Sequence, residues 1–336
     1  MVFPHRLSRT TCNSTVIVQQ SSYVRDAVGA RLMQALTSEG SAPLGYAMPV
    51  KTPATARLGA GLTPTLWALG YGGWGDTNGN TNAASVSNTI AGFLIGADAA
   101  VSDHARAGLF GGYGHSSFSV VDRASSGSID TYDMGLYGAA QFGHFAARGA
   151  LTYGWHDVSM DRTVAFPGFY EAISGGYSSG SFQAFGELAY GLTFGTVDVE
   201  PFAGLAYVNL DGASLTETGG AAALGVSTAS FETTYSTLGV RFATSIGVFG
   251  RPLTPSVTLA WQHAFGDTTP YASMLFAGGT APFQVAGAPI AQDVLLVGAG
   301  LGYAASELAT LSVKYNGQIA SGASQNAFSA EFAWKF

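Results

Sequence analysis

The stretch AFSAEFAWKF, residues Ala327 to Phe336, decides how the rest of the chain is read. Taken in twos from its end it gives Phe336, Trp334, Phe332, Ala330 and Phe328 on one side, with Lys335, Ala333, Glu331, Ser329 and Ala327 on the other. Successive side chains change face only in a β-strand, so this is a strand with one face in an apolar medium and the other near water. The same period runs back through the chain. In FAARGALTYGWHD, Phe145, Ala147, Gly149, Leu151, Tyr153 and Trp155 alternate with Ala146, Arg148, Ala150, Thr152, Gly154 and His156. SFQAFGELAYGLTFG repeats the pattern from Phe182 to Phe194, and the sets Leu238, Val240, Phe242 and Val257, Leu259, Trp261 repeat it again.

From Pro64 onward about twelve strands of this kind follow one another, near 64–76, 85–100, 104–120, 127–142, 144–160, 177–195, 196–211, 229–248, 253–266, 290–304, 307–318 and 326–336. Many exceed the usual soluble strand of roughly five or six residues. An even number of long antiparallel neighbours predicts an all-β fold, a twelve-stranded antiparallel barrel closed on itself, since closure removes exposed sheet edges. Crossing a bilayer takes about 9–11 tilted residues, with the apolar set toward lipid and the mixed set toward a lumen. Tyr71 with Trp74, Tyr153 with Trp155, Trp261, Tyr315, and Trp334 with Phe336 then mark aromatic girdles at the strand ends. Connections are expected to alternate between short turns, such as Gly143-His144 and Gly195-Thr196, and long loops, such as Asp161 to Gly180 and Gly266 to Pro289. A soluble lipocalin-like barrel or sandwich is the competing reading.

Composition favours the bilayer. Charged residues make up 10% of the 336, against 47% hydrophobic and 12% aromatic, where soluble proteins carry about 25% charge. The best apolar run, Val294 to Ala305, is too short for a membrane helix of roughly twenty residues. A net charge of −7 removes the footprint of a nucleic-acid binder. The single cysteine, Cys12, excludes an internal disulfide framework or a multi-cysteine metal site.

Residues 1–20 show no period and are expected to be a poorly ordered leader or the remnant of a preceding domain. They contain no secretory signal, which leaves a cytosolic chain or the tail of a longer precursor. In SSYVRDAVGARLMQALT, Val24, Ala27, Val28, Arg31, Leu32, Ala35 and Leu36 recur at helical spacing after Ser21 and Ser22, which predicts a helix capped there. A short core helix is its plain reading. Residues 38–62, with Pro43, Pro49 and Pro53, read as a linker.

Catalytic motifs are sparse. The histidines His5, His104, His115, His144, His156 and His263 lack metal-ligand spacing, and no cofactor or metal is expected. GYGHSSFS is no nucleophile elbow, because position 118 is Phe. VGAGLGY has Tyr303 where a dinucleotide motif needs its last glycine. A rim cluster of Ser116, His115, Asp122 and Asp133 is the remaining enzymatic reading, set aside because a triad is recognised by geometry.

Phe328, Phe332, Trp334 and Phe336 are similar to the C-terminal signal by which bacterial outer-membrane barrels are recognised for insertion, which implies lipid and the barrel assembly machinery as partners. A wider resemblance runs from about residue 20 to Phe336. WQHAFGD (Trp261 to Asp267), PFQVAGAPIAQD (Pro282 to Asp293), KYNGQIASG (Lys314 to Gly322) and the terminal strand occur in the order found in the autotransporter β-domain, the translocator of type V secretion. LWALGYGGWGDTNG with IAGFLIGADA resembles that domain's first hairpin, and VRDAVGARL the helix before it. The resemblance implies an outer-membrane barrel, residues 63–336, that anchors and exports an N-terminal passenger in cis. Residues 21–62 would be its pore helix and linker, with Arg25, Asp26 and Arg31 inside the lumen. A passenger and signal peptide are not visible in these residues, and the Asn-Asn pair at which some relatives cleave themselves is missing, leaving only Asn13. Arg106, Asp133, Arg148, Glu187, Arg241, Lys314 and Glu331 fall on the inferred inner faces, either paired or solvated. The alternative function is a plain channel or adhesin-like barrel whose outer loops bind.

Overall fold

The computed structural model describes residues 9–37, 64–79, 85–120, 125–266 and 268–336. The linker with Pro43, Pro49 and Pro53 lies outside them, as does Asp122. Twelve antiparallel strands close into a barrel: β1 Thr65–Thr77, β2 Val86–Ser102, β3 Ala105–Val120, β4 Ser125–Phe142, β5 Phe145–Phe166, β6 Phe169–Tyr190, β7 Val197–Leu210, β8 Phe231–Thr244, β9 Arg251–Phe265, β10 Asp293–Ala304, β11 Ala309–Ala320 and β12 Ala323–Lys335. Each pairs with its neighbours in chain order. The seam is β1 against β12, in register from Thr65↔Lys335 to Thr77↔Ala323. Phe336 adds one bond beyond it, its N–H donating to the Pro64 carbonyl at 3.0 Å.

The alternation read from the sequence is the alternation of the wall. On β5, Phe145, Leu151 and Trp155 are exposed while Ala146, Arg148, Ala150 and Thr152 are buried inward. Leu136, Leu151, Leu188 and Leu205 are each more than half exposed, an arrangement that is stable where the surrounding medium is hydrocarbon. No helix among the described residues is long and apolar enough to cross a membrane; the spans are strands.

Tight turns join strands at one end, where Gly143 and Gly195 take the left-handed φ values of 59° and 64° that glycine adopts without a Cβ penalty. In outer-membrane barrels the short turns are periplasmic. Longer connections gather at the other end, with two departures from expectation. Asp161 to Gly180 is not a loop, because β5 and β6 continue in register to Phe166↔Phe169. Gly266 to Pro289 is not plain loop either: a second, four-stranded sheet at the outer end runs in the order Phe283–Ala286, Tyr271–Phe276, Leu224–Thr228, Ser214–Thr216. Leu215, Leu224, Val226, Ala272 and Met274 form its small core. Arg162 on β5 tethers it through Glu217 and the Ala222 carbonyl.

Helix α1, Arg9–Thr37, is longer than expected. Ser21 and Ser22 lie mid-helix, and their hydroxyls donate back to the carbonyls of Val18 and Gln19, both at 2.7 Å. The first half is rich in β-branched residues that weaken a free helix. Packing inside the barrel overrides that preference, which no local spacing could show.

Tyr71 is a further correction. It differs from Trp74 by an odd number of positions, so both cannot face lipid; Tyr71 is buried in the lumen, and Trp74 is exposed. Trp67 is buried inside as well.

Candidate functional site

The lumen is filled by α1, which touches the wall on all sides. Its outer end presents Val16, Ile17 and Val18 to Val86, Phe118, Ile129, Val208, Phe231 and Ile290. The Thr15 hydroxyl donates to the Ala288 carbonyl of the outer loops at 2.7 Å. One turn further in, Gln19 donates to Thr77 at 3.1 Å. Midway, Tyr23 stacks on Tyr71 with ring centroids 6.2 Å apart and planes 16° apart. Gly73 makes that possible: a Cβ there would lie 2.8 Å from the Tyr23 ring. Arg25 donates to Gln183 at 2.6 Å and lies over the Tyr235 ring, 5.3 Å from its centroid.

Near the periplasmic end, Arg31 meets the wall in a buried network. It donates to both oxygens of Asp98, at 2.7 and 3.0 Å, and sits 3.8 Å from Glu331. Asp98 also accepts from Arg106 at 2.9 Å and from the Tyr137 hydroxyl at 2.8 Å. Tyr137 in turn accepts from the Trp67 indole at 2.6 Å. Gln34 donates to Ser312 and Glu331. Arg31 and Arg106 thus face Asp98 and Glu331, and the set is neutral. A charge withdrawn from water is tolerable only with such partners.

A second neutral set lies on the wall of β5 to β8. Arg148 donates to Glu187 and Glu200 at 2.8 and 3.0 Å. Arg241 binds the same two carboxylates and packs 3.7 Å over Phe202. Between this wall and the helix lies a cavity of about 140 Å³, lined by Arg25, Asp26, Arg241 and Lys314 among others. Arg25, Asp26 and Lys314 are the charges facing it that belong to neither neutral set. Asp133 also faces inward, on β4, and its Oδ2 has no hydrogen-bond partner.

The inner faces therefore hold Arg106, Asp133, Arg148, Glu187, Arg241, Lys314 and Glu331, with Arg25, Asp26 and Arg31 on the helix between them. Phe328, Phe332 and Trp334 lie on the outer face of β12 and Phe336 is exposed just past it. Asp98 and Glu200, the carboxylates that bind the arginines, are not among the residues that the sequence singles out. Both sit at inward positions of strands whose two faces are nearly equally apolar, GFLIGADAA and VDVEPFAG, so only the closed register assigns their side. The rim cluster does not form: Ser116 is buried facing inward and Asp133 lies in the lumen, while His115 faces outward.

Comparison with known proteins agrees with this architecture. Residues 66–316 match the autotransporter β-domain family. The chain is 32% identical over 319 residues to an "extracellular serine protease" of Serratia marcescens, matching 95% of this chain but 29% of that protein. A second Serratia marcescens protein of the same name is 32% identical over 80% of this chain and 26% of its own length. The chain therefore spans under a third of the length of these relatives. Among solved structures, the translocator domain of the autotransporter NalP from Neisseria meningitidis superposes with a TM-score of 0.66 at 14% identity, over 95% of this chain and 98% of that one. The β-domain of the Bordetella autotransporter BrkA gives 0.62 at 17% identity, over 82% and 100%. A closed twelve-stranded wall, a lumen with a helix in it, and a family match across most of the strands lead to one conclusion: the chain belongs to the autotransporter β-domain family and is an outer-membrane translocator barrel of type V secretion.

Proposed function

We propose that α1 is the lumen-held end of an exported passenger, and that the barrel anchors this passenger in cis after carrying it outward. The observation that supports the reading is the direction of the helix. Its N-terminal half lies among the outer loops, through Thr15 and Ala288, and Arg31 lies near the short-turn end. A polypeptide preceding residue 9 would emerge on the cell surface, while the helix runs toward the periplasmic end, where β1 starts. In this reading the serine-protease chemistry in the names of the Serratia proteins belongs to their passengers, and export itself needs no catalytic side chain in the barrel. Arg25 and Arg31 act as pore-helix anchors, with Asp26 beside them facing the cavity, and the inward-facing charges of the wall line their berth. Residues 21–62 of the chain then serve as pore segment and linker, extended outward to Arg9, and 63–336 as the barrel. Phe328, Phe332, Trp334 and Phe336 form the strand read by the barrel assembly machinery, and the exposed leucine band contacts outer-membrane lipid.

The test is a reporter domain fused between a signal peptide and residue 9. On intact cells it should be cut by external protease, with the barrel protected. A reporter found only in the periplasm, beside a folded barrel, overturns the reading.

A further inference from the structure

The outside of the wall carries a serine, a histidine and a carboxylate joined in sequence. Ser117 Oγ lies 3.5 Å from His115 Nε2, and His115 Nδ1 lies 2.8 Å from Asp130 Oδ1. His115 and Ser117 are two apart on β3 and so share its outer face, and Asp130 stands directly opposite His115 on β4. An ionised carboxylate only accepts, so the imidazole proton sits on Nδ1 and Nε2 is left to accept from the Ser117 hydroxyl. Tyr113, one outward position deeper, donates to the same Asp130 oxygen at 2.5 Å. The residue opposite His115 on β2 is Ala91, which adds no charge.

A matching unit elsewhere on the barrel shows what is special here. On β9 and β10, Trp261 donates to Asp293 at 3.0 Å and His263 Nδ1 lies 2.8 Å from the same oxygen. In that copy the position two beyond the histidine is Phe265. Both units pin an aromatic and a histidine to a carboxylate; only the first sets a hydroxyl against the free ring nitrogen.

The site stands above the apolar band of the wall. Below the site the outer face is Leu109, Met134 and Leu136, all exposed. Tyr113 and Tyr132, with rings 5.4 Å apart, mark the interface. At about 3.4 Å per residue and a tilt near 40°, Ser117 lies roughly 10 Å on the headgroup side of that pair. It opens onto a shallow groove with Thr89, Ser119 and Ser159. Ser128, opposite Ser117 on β4, lines the same groove. None of these groups faces the lumen, so export leaves them without a role.

We propose that Ser117, His115 and Asp130 form an acyl-transfer site that hydrolyses acyl esters of amphiphiles presented at the outer surface of the membrane. Ser117 Oγ attacks the ester carbonyl carbon as its proton passes to His115 Nε2. The C–O bond to the alcohol then breaks, and the imidazolium returns that proton to the departing oxygen. Water, deprotonated by His115, attacks the acyl-Ser117 carbonyl, releasing the carboxylic acid and restoring the serine hydroxyl. Asp130 is a positioning residue that holds the tautomer.

The test uses the full chain folded in detergent micelles, its folding checked by heat-modifiable gel mobility. A long-chain p-nitrophenyl ester reports turnover, and a fluorophosphonate probe with peptide mass spectrometry reports the nucleophile. The expected result is an adduct on Ser117, with turnover falling about 100-fold or more in Ser117→Ala and His115→Ala. Ser116→Ala, on the inner face, should change neither. Asp130→Asn should lower turnover about tenfold or more while Ser117 stays the labelled residue, because the imidazole loses the acceptor that fixes its tautomer. A folded barrel that leaves Ser117 unlabelled, or that turns over the ester equally with Ser117→Ala, overturns the proposal.

Discussion

At its outer end α1 is held mainly by area and at its inner end by area and charge together, since Val28 and Leu32 are buried there among Trp67, Leu69 and Leu94. Val16, Ile17 and Val18 lie in an apolar collar drawn from strands on opposite sides of the barrel, and such contact is non-directional: each buried methylene contributes about 0.8 kcal/mol wherever it finds apolar neighbours. Arg31 instead meets Asp98 through two hydrogen bonds whose geometry admits one axial position and one rotation of the helix. The outer collar grips, and the inner network sets register. Between them the helix passes the 140 Å³ cavity, where Asp26 and Lys314 face each other without a direct bond.

The largest effect that sharpens this contrast comes from removing the plug. Deleting residues 1–60 should convert a nearly closed barrel into an open pore in planar bilayers, and unchanged conductance would mean that the helix does not fill the lumen. Next is Asp98→Ala, which strips Arg31 and Arg106 of their shared carboxylate inside the wall and should cost about 3–5 kcal/mol. Its readout is unfolding midpoint together with frequent openings in single-channel records, and Arg31→Met in the same chain should recover part of the loss. Ile17→Ala, at the apolar end, should cost about 2–4 kcal/mol by leaving a cavity while openings stay rare. Equal gating in the two single variants would break the distinction between grip and register. Gly73→Ala should cost about 1–3 kcal/mol by pressing on the Asn326 carbonyl oxygen, 2.6 Å from the added Cβ, and on the Tyr23 ring, so Tyr23→Ala should relieve only part of it. Smallest is Lys314→Met, beside the cavity, where a side chain of similar volume replaces a lysine that makes no direct bond among the described residues, expected to shift stability by no more than about 1.5 kcal/mol.

Much of the wall is legible because a barrel strand writes its two environments into alternate letters. Phe145 to Trp155 and Phe328 to Trp334 need no tertiary information to be assigned a face. Legibility fails where both faces are alike. Asp98 and Glu200 lie among small and apolar residues on both sides, so the partners of Arg31, Arg148 and Arg241 have no signature. Tyr71 is misplaced when aromatic content is read in place of parity. The outer sheet escapes a local reading because Leu224–Thr228, besides its near neighbour Ser214–Thr216, pairs with Tyr271–Phe276 in another connection. For the helix, Arg9 to Gln20 carries no amphipathic period, since the lumen surrounds it and asks for no single apolar side.

The β1–β12 seam has a kinetic consequence. It joins the earliest-made ribbon of the wall to the latest, the most distant pairing in the sequence, so closure must wait for every other contact to be in reach. Until then the growing sheet has two bare margins able to zip onto any neighbour. The interval before closure is the period of greatest danger for this molecule, and escort by other proteins matters most during that wait.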